Sequence, residues 1–319
     1  MLEKISILLY FYISIFLYYF FFVYFYICVI IEILEADMND LEKAKQLLKK
    51  RKKAVTIIIG NQKGGVGKTT NTYLISYTLA KLGIKTLVCD LDPQSNSTKA
   101  LILTKSQNSN EITTIDKTLM WGVQQQSLTE LPVPIIENLD LLPSYIDFEN
   151  FAKYLYKKTS TEYEETHLLE PLFEPLKENY DVILIDVPPL SVEITNNAVI
   201  FSDYVLISLQ TQDDSMTGAI EYIKTLVKLK MQYGLGIEVL GVLPMLSNSR
   251  GSVDKIILES AKKEWGEDLV FETVIPQMER IKRFSINGIT DEDRFDRKVL
   301  EMYEKIVAEM LSKLVEFEE

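Results

Sequence analysis

Residues 57–71, IIIGNQKGGVGKTTN, combine a glycine-rich loop with two lysines and two threonines. Glycines let backbone N–H groups curl around phosphate oxygens, and a helix that begins directly after the loop adds its partial positive charge. Lys68 can neutralise the outer phosphates of a nucleotide, and the hydroxyl of Thr69 can bind Mg²⁺. The pattern therefore predicts a phosphate-binding loop formed by Gly64, Gly65, Val66, Gly67, Lys68, Thr69 and Thr70.

Three aspartates follow apolar runs that are typical of buried strands. Asp186 ends the run YDVILID, and Asp90 and Asp92 lie at the end of KTLVCDLD. A buried aspartate without a cation would be costly, so Asp186 is expected to hold Mg²⁺. Residues two apart on a strand share a face, so one of Asp90 and Asp92 could contact Mg²⁺ or the loop while the other orients a water. Alternatively, Asp92 caps the following helix.

Overall composition excludes several classes of protein. The formal net charge of -12 over 319 residues argues against a general nucleic-acid binder, so any such contact needs a local basic patch. The two cysteines, Cys28 and Cys89, lack a metal-ligand spacing and exclude a disulfide framework. The single histidine, His167, lies in a polar stretch, which disfavours a histidine-based triad or a zinc site.

From residue 54 onward, short apolar runs alternate with amphipathic stretches. Near-continuous hydrophobicity implies strands that are buried on both faces, as in a parallel sheet. Helical patterns between the runs end at Gly83 and Gly234, and a last helix is expected over 297–318. This alternation predicts an α/β fold with a doubly wound, mostly parallel sheet. The expected strands cover 54–60, 85–92, 180–189, 203–210, 237–244 and 268–276.

The first 37 residues differ from the rest of the chain. Ile5 to Ile31 carries no charge, is long enough to span a bilayer and lacks the cleavage site of a signal peptide. It is either a membrane anchor, with the basic run 49–53 on the cytoplasmic side, or the translation of A/T-rich noncoding DNA ahead of a true start at Met38. We favour the second interpretation. In that interpretation residues 1–37 are not part of the protein, residues 38–53 form a basic helix, and residues 54–319 form the main domain.

Three motifs together, KGGVGKTT, DLDPQ and IDVPP, resemble the ParA family of partition ATPases. The likeness continues through PIIENLDLLPS, NNAVIFSDYVLISLQ and GVLPMLSNSR, and so covers nearly all of 54–310. Gln62 replaces the first glycine of a standard P-loop, as in the NQKGG of that family. The resemblance implies a P-loop NTPase fold with a deviant Walker A motif, a ParA-like ATPase domain over 54–319, and the cofactors ATP and Mg²⁺.

Particular residues acquire roles from this resemblance. Lys63 corresponds to the family's signature lysine, which reaches the nucleotide phosphates of a second subunit, so a homodimer on ATP is implied. A second cation gains most where it neutralises charge that is otherwise buried at an interface. Asp92 would align the attacking water, and Asp90 would support the metal shell. Pro276, in IPQMER, is expected at the nucleotide.

DNA and protein partners are also implied by the resemblance. The ATP dimer would bind nonspecific DNA, and a centromere-binding, ParB-like partner would stimulate hydrolysis and release. The family's IPRNVR is IPQMER here, which keeps Arg280 but has Gln277 in place of an arginine. Lys282 and Arg283 could compensate, and Arg250 lies in another basic loop of the family. These cations would give modest, salt-dependent binding, or they are ordinary solvated charges. The expected location is cytoplasmic, on the nucleoid.

Other deviant Walker ATPases offer alternative interpretations. A membrane-associated, MinD-like protein would need a basic C-terminal helix, whereas EMLSKLVEFEE is acidic and would be repelled by anionic lipid. Bacterial tyrosine kinases of this class usually end in a tyrosine cluster, and this tail has only Tyr303. Membrane contact and a membrane-anchored location depend on whether residues 1–37 are translated. A nonenzymatic ATP switch is disfavoured by Asp92.

Overall fold

A seven-stranded sheet forms the centre of the computed structural model, which describes residues 18–20, 22–25, 40–109, 114–246 and 252–318. The strand order is β3-β4-β2-β5-β1-β6-β7, and all neighbouring pairs are parallel except β3 with β4. The strands are β1 Val55–Gly60, β2 Thr86–Asp90, β3 Val133–Ile136, β4 Leu139–Leu142, β5 Val182–Asp186, β6 Tyr204–Gln210 and β7 Glu238–Met245.

Helices cover both faces of this sheet. A short 3-10 helix, Ile146–Asn150, precedes α5. The helices are α1 (40–50), α2 Lys68–Lys81, α3 Asn96–Ser109, α4 Leu119–Gln125, α5 Phe151–Lys158, α6 Glu162–Thr166, α7 Glu170–Lys177, α8 Val192–Ile200, α9 Asp213–Tyr233, α10 Ser252–Trp265, α11 Glu279–Asn287 and α12 Arg294–Glu318.

Alternate residues of the central strands pack into two separate hydrophobic clusters. In β1, Ile57 and Ile59 join the cluster that includes α2, α3, α11 and α12, whereas Ile58 joins the cluster that includes α4, α8 and α9. In β5, Leu184 and Ile185 divide in the same way. Because successive side chains of a strand point to opposite faces, continuous apolar runs fill both clusters. The predicted doubly wound, mostly parallel α/β fold is confirmed.

One expected strand, 268–276, is wrong. The backbone of this segment pairs with β7 at two isolated bridges, between Val242 and Val270 and between Met245 and Ile275, and forms no continuous strand. Between the bridges, the N–H groups of Glu272 and Thr273 donate to the carboxylate of Glu309 on α12, at 2.7 and 3.1 Å. An acceptor from a distant helix thus replaces the strand partner, and no local hydrophobic pattern can reveal that competition.

The N-terminal helix α1 packs on the same core as the rest of the domain. Ala44 and Leu48 are buried in the cluster that contains α2 and α12, and Arg51 forms an ion pair with Glu318 at the end of α12. The predicted apolar segment Ile5 to Ile31 lies outside the described residues except for 18–20 and 22–25, which are helical. The division into 1–37, 38–53 and 54–319 therefore stays a prediction.

Within the described ranges, no helix combines the length and the apolar character that crossing a membrane requires.

Gly288 connects α11 to α12 at a point where the chain touches α3. Its φ is +84°, and a Cβ at this position would lie 2.5 Å from the backbone nitrogen of Thr104. We expect Gly288→Ala to lower the free energy of unfolding by about 2–4 kcal/mol, because it combines backbone strain with a clash. Urea denaturation measures the change. Gly83→Ala is the control: φ at Gly83 is +80°, but a Cβ at this position would have no atom within 4 Å. This variant should lower the free energy of unfolding by only about 1 kcal/mol. Equal losses would contradict this close packing.

Candidate nucleotide site

The glycine-rich loop, residues 61–67, connects the carboxyl end of β1 to the start of α2. Because β1 lies between β5 and β6, the loop opens at the centre of the sheet edge, where doubly wound folds bind ligands. Gly65 and Gly67 have φ values of +78° and +89°, in the region that favours glycine. A Cβ on Gly67 would also lie 2.5 Å from Cε of Met245. The predicted order of strand, loop and helix is therefore present.

Hydrogen bonds of two side chains, Asn61 and Ser208, hold the conformation of the loop. Asn61 donates through Nδ2 to the carbonyl oxygens of Ser208 and Ser215, at 2.9 and 3.1 Å. Its Oδ1 accepts the N–H of Lys63 at 2.8 Å. Ser208 Oγ donates to the carbonyl oxygen of Val66 at 2.6 Å. These bonds tie both ends of the loop to β6 and to the start of α9.

Lys68 is buried at the first position of α2. Its Nζ donates to the carbonyl oxygen of Lys63 at 2.9 Å, so the side chain folds over the loop. Burial lowers the pKa of Lys68, whereas the negative charges of Asp186 and Asp92 raise it. A desolvated ammonium group beside backbone N–H groups is well placed to bind an anion such as phosphate.

Lys63 points away from this site. Its side chain is 45% exposed and forms an ion pair of 2.9 Å with Asp214 in the first turn of α9. It is not among the residues that line the cavity described below. Because Asp214 is itself 75% exposed, this surface pair is worth little free energy, and Lys63 can exchange it for a stronger partner.

Two carboxylates lie side by side beneath the loop. Asp90 of β2 and Asp186 of β5 are register partners, and both are fully buried. Asp90 Oδ1 accepts the N–H of Asp92 at 3.1 Å, and Oδ2 accepts the N–H and hydroxyl of Thr98 at 2.8 and 2.7 Å. Burial, with the charge of Asp186, raises the pKa of Asp90 to about 8. Asp90 thus holds the start of α3 and lies behind the site.

Asp186 has one oxygen that lacks a hydrogen-bond donor. Its Oδ2 accepts the hydroxyl of Ser97 at 2.7 Å, but the buried Oδ1 accepts no well-formed hydrogen bond from the described residues. Burial raises the pKa of Asp186 to about 6, against polar contacts with Ser97 and Thr69 that lower it. Buried oxygens in proteins normally have a partner, and a cation is one such partner. Asp186 with Thr69 therefore fits Mg²⁺, and their role as metal ligands stays a prediction.

A cavity of about 730 Å³ opens above the loop and these carboxylates. Asp92 and Pro276 line it, and Asp92 Oδ1 accepts the N–H of Gln94 at 2.9 Å. Of the predicted cofactor-binding residues, Val66 does not line the cavity, and its carbonyl is turned to Ser208. The predicted residues that line it are Gly64, Gly65 and Gly67 of the loop and Lys68, Thr69 and Thr70 of α2.

An apolar wall of the cavity escaped the sequence analysis. Met245 and Leu246 from the end of β7, with Ile275 and Met278, form this wall, and Gln210 ends β6 beside them. Their only sequence signal is that they end or follow apolar runs. Strand order, which the pattern does not contain, brings these ends next to the loop.

Among the predicted DNA contacts, Arg280 is not available as a free cation. The guanidinium of Arg280 lies between Asp293 and the buried Asp296, at 2.5 and 3.2 Å, and only 20% of its side chain is exposed. It connects α11 to the start of α12. Arg250 lies outside the described residues.

The other two predicted DNA contacts lie on the surface of α11. Lys282 is exposed, lines the cavity rim and forms a 3.5 Å ion pair with Glu279. Arg283 is exposed and makes no ion pair within the described part of the chain. These two side chains, and not Arg280, are the accessible positive charges of this helix.

Comparison with known proteins identifies related sequences. A family model described as an AAA domain matches residues 54–238. The sporulation initiation inhibitor protein Soj of Bacillus subtilis is 31% identical over 233 residues, which are 73% of this chain and 88% of that protein. The chromosome partitioning protein ParA of Caulobacter vibrioides is 29% identical over 230 residues, 70% of this chain and 81% of that protein.

Solved structures share the fold. Apo McdA of Cyanothece superposes with a TM-score of 0.69 at 22% identity, covering 82% of this chain and 99% of that one. A putative plasmid partition protein of Borrelia burgdorferi bound to AMPPNP superposes with a TM-score of 0.65 at 22% identity, covering 82% of this chain and all of that one, 100%. At these identities the likeness is one of fold.

The adjacent buried carboxylates lead to a prediction about stability. Asp186→Asn should raise the free energy of unfolding without ligand by about 1–2 kcal/mol, because it removes one of two charges that burial disfavours. The same change should weaken Mg²⁺-dependent nucleotide binding at least tenfold, because a neutral amide is a poor Mg²⁺ ligand. Urea denaturation in EDTA and calorimetric titration at pH 8 measure the two effects.

Asp92→Asn is the matched control. Asp92 is not a register partner of Asp186 but its charge raises the pKa of Asp186, so its change should raise the free energy of unfolding by less than Asp186→Asn does. If Asp186→Asn destabilises the ligand-free protein, the buried charge is not the source of strain.

Proposed function

The chain belongs to the ParA family of partition ATPases, and from that premise we propose that it is a DNA-partition ATPase. It would bind ATP with Mg²⁺, form a homodimer on ATP, bind nonspecific DNA and leave the DNA after hydrolysis. The observation that carries the proposal is one cavity lined by the glycine-rich loop, the buried Lys68 and Asp92, with the buried Asp186 close enough for its charge to raise the pKa of Lys68. The names of the Soj and ParA relatives, one of them a chromosome partitioning protein, support it.

The cavity suits a nucleoside triphosphate. Its volume of about 730 Å³ lies in the range of ligand pockets. Loop N–H groups and Lys68 would bind the phosphates, and the apolar wall around Met245 would face the base. Asp186 and Thr69 would hold Mg²⁺, with Asp90 fixing α3 behind them. Bound Mg²⁺ supplies charge neutralisation on the phosphates during phosphoryl transfer.

Asp92 would orient the attacking water. It lines the cavity, and the N–H of Gln94 holds one of its oxygens in place. Phosphoryl transfer to water needs positioning and electrostatic stabilisation and no covalent intermediate. We expect turnover to be slow until a centromere-binding, ParB-like partner stimulates it.

Lys63 would complete the site of a second copy. Phosphates bound in the cavity of the same chain would already contact Lys68. Lys63 lies outside that cavity and forms an exposed ion pair with Asp214. An exposed lysine gains more from phosphate charge that an interface buries than from a surface carboxylate. This asymmetry between Lys68 and Lys63 supports an ATP-dependent homodimer.

DNA contact would involve Lys282 and Arg283 on α11. Both are exposed, and Lys282 also lines the rim of the cavity, so the same helix borders the nucleotide and the solvent. Arg280, held by Asp293 and Asp296, would position this helix. Two cations per subunit give modest, salt-sensitive attraction for phosphate backbones. The protein would act in the cytoplasm on the nucleoid.

This assignment predicts nucleotide-dependent DNA binding. The purified protein should bind random-sequence duplex DNA at physiological salt with ATP and Mg²⁺, and not with ADP. Changing Lys282 and Arg283 together to alanine should weaken DNA binding about tenfold. The slope of log binding constant against log salt concentration should fall by the equivalent of about one to two phosphate contacts per subunit. Fluorescence anisotropy over a salt series measures both. Changing Lys262 and Lys263 of α10 to alanine removes the same charge elsewhere and should change little. Absence of binding with either nucleotide would contradict the DNA role.

Two variants separate assembly from chemistry. Lys63→Ala should abolish the ATP-dependent dimer but keep ATP binding, because Lys68 serves its own chain. Asp92→Ala should keep the dimer and lose at least about 100-fold in turnover, because the water is no longer oriented. Light scattering with ATP and phosphate release measure the two effects. A dimeric Lys63→Ala protein would refute the role of that lysine, and unchanged turnover in Asp92→Ala would refute that of the aspartate.

A further inference from the structure

A chain of buried hydrogen bonds joins the C-terminal helix to the phosphate-binding loop. The hydroxyl of Tyr303 on α12 donates to Asn71 Oδ1 at 2.8 Å. Asn71 Nδ2 donates to Ser208 Oγ at 3.0 Å, and Ser208 Oγ donates to the carbonyl oxygen of Val66 at 2.6 Å. Tyr303, Asn71 and Ser208 are fully buried.

The direction of these bonds follows from the available donors. The Ser208 hydroxyl has one hydrogen, and it donates this hydrogen to the carbonyl oxygen of Val66. The hydroxyl oxygen must therefore accept a hydrogen bond from the NH₂ group of Asn71. The amide oxygen of Asn71 then faces α12, where Tyr303 supplies the donor. Without the phenol hydroxyl, a buried amide oxygen would lose its partner, and the amide group that donates to Ser208 would be held on one side only.

The last bond of the chain fixes a peptide group of the loop. Neither Val66 nor Ser208 lines the cavity, so the carbonyl of Val66 is held outside it. In a trans peptide the N–H of the next residue points the opposite way, and that residue, Gly67, lines the cavity. A carbonyl that turned inward would present a negative dipole to the phosphates where an N–H is needed.

We propose that Tyr303 is a positioning residue for the phosphate-binding loop. Acting through Asn71 and Ser208, it keeps the peptide between Val66 and Gly67 in the orientation that binds an anion. Tyr303 does not line the cavity, so its effect is indirect. This inference rests on the proposed function, because it takes nucleotide phosphate as the ligand of the loop.

The test compares Tyr303→Phe with the wild type in the full chain. Calorimetric titration with ATP and with ADP, each with Mg²⁺, should show binding about three- to tenfold weaker for the variant. A purely structural role would lower the melting temperature of the ligand-free protein and leave the affinity of the folded molecules unchanged. Wild-type affinity for both nucleotides would therefore overturn the proposal.

Tyr222→Phe is the matched control. The hydroxyl of Tyr222 is also buried, but it has no hydrogen-bond partner among the described residues and does not line the cavity. Loss of this hydroxyl should leave nucleotide affinity at the wild-type value. Equal weakening in both variants would show that a buried tyrosine hydroxyl acts nonspecifically, and would overturn the role given to Tyr303.

Ser208→Ala tests the same chain from its other end. It removes the donor to Val66 without touching α12, so it serves also if Tyr303→Phe does not fold. We expect a loss of affinity at least as large as that of Tyr303→Phe, and little further loss when the two changes are combined, because both act on one peptide. Wild-type affinity in Ser208→Ala, or full additivity in the double variant, would refute the proposal.

Failure of the inference and failure of the proposed function give different results. A wild-type protein that binds neither ATP nor ADP with Mg²⁺ would remove the proposed function and the inference with it. A wild type that binds nucleotide, with Tyr303→Phe equal to it, would remove the inference only.

Discussion

A phosphate-binding loop must turn its backbone N–H groups toward one point, and most of the surrounding structure serves that constraint. A short glycine-rich segment has little preference for such a conformation, so its neighbours have to impose it. Asn61 ties the start of the loop to β6 and α9, and Ser208 ties its end through Val66. Met245 closes the space beside Gly67. These contacts hold both ends of the loop on the sheet that carries it.

Charge burial is the second constraint, and it opposes stability. Asp90 and Asp186 lie next to each other without exposure to water, and the buried Lys68 lies close enough to Asp186 to interact with its charge. Burial raises the pKa of both carboxyl groups and lowers that of the lysine. Keeping each of the three groups ionised in the folded protein therefore costs free energy. In the function proposed above, bound phosphate and a divalent cation would offset these buried charges.

Helix α3 connects this charged region to the surface proposed for DNA. At one end, Ser97 and Thr98 donate to Asp186 and Asp90. Near its other end, Thr104 Oγ1 accepts the N–H of Ile289, directly after the Gly288 that packs on α3. Because α3 is held at both ends, it links the position of these carboxylates to that of α11.

The amino-acid sequence by itself determined the α/β class, the glycine loop between strand and helix, and the aspartates at strand ends, because these depend on periodicity and on residues close in the chain. Tertiary structure decided what depends on distant partners. Glu309 accepts hydrogen bonds from the backbone of residues 272 and 273, which therefore do not pair with β7. Arg280 forms ion pairs with two aspartates, and Asp90 accepts hydrogen bonds from Thr98. Tyr303, which no pattern singles out as more than a core residue, reaches the loop only because α12 packs against α2. Side-chain hydrogen bonds and ion pairs act over a few ångströms, so only the folded chain reveals which residues they join.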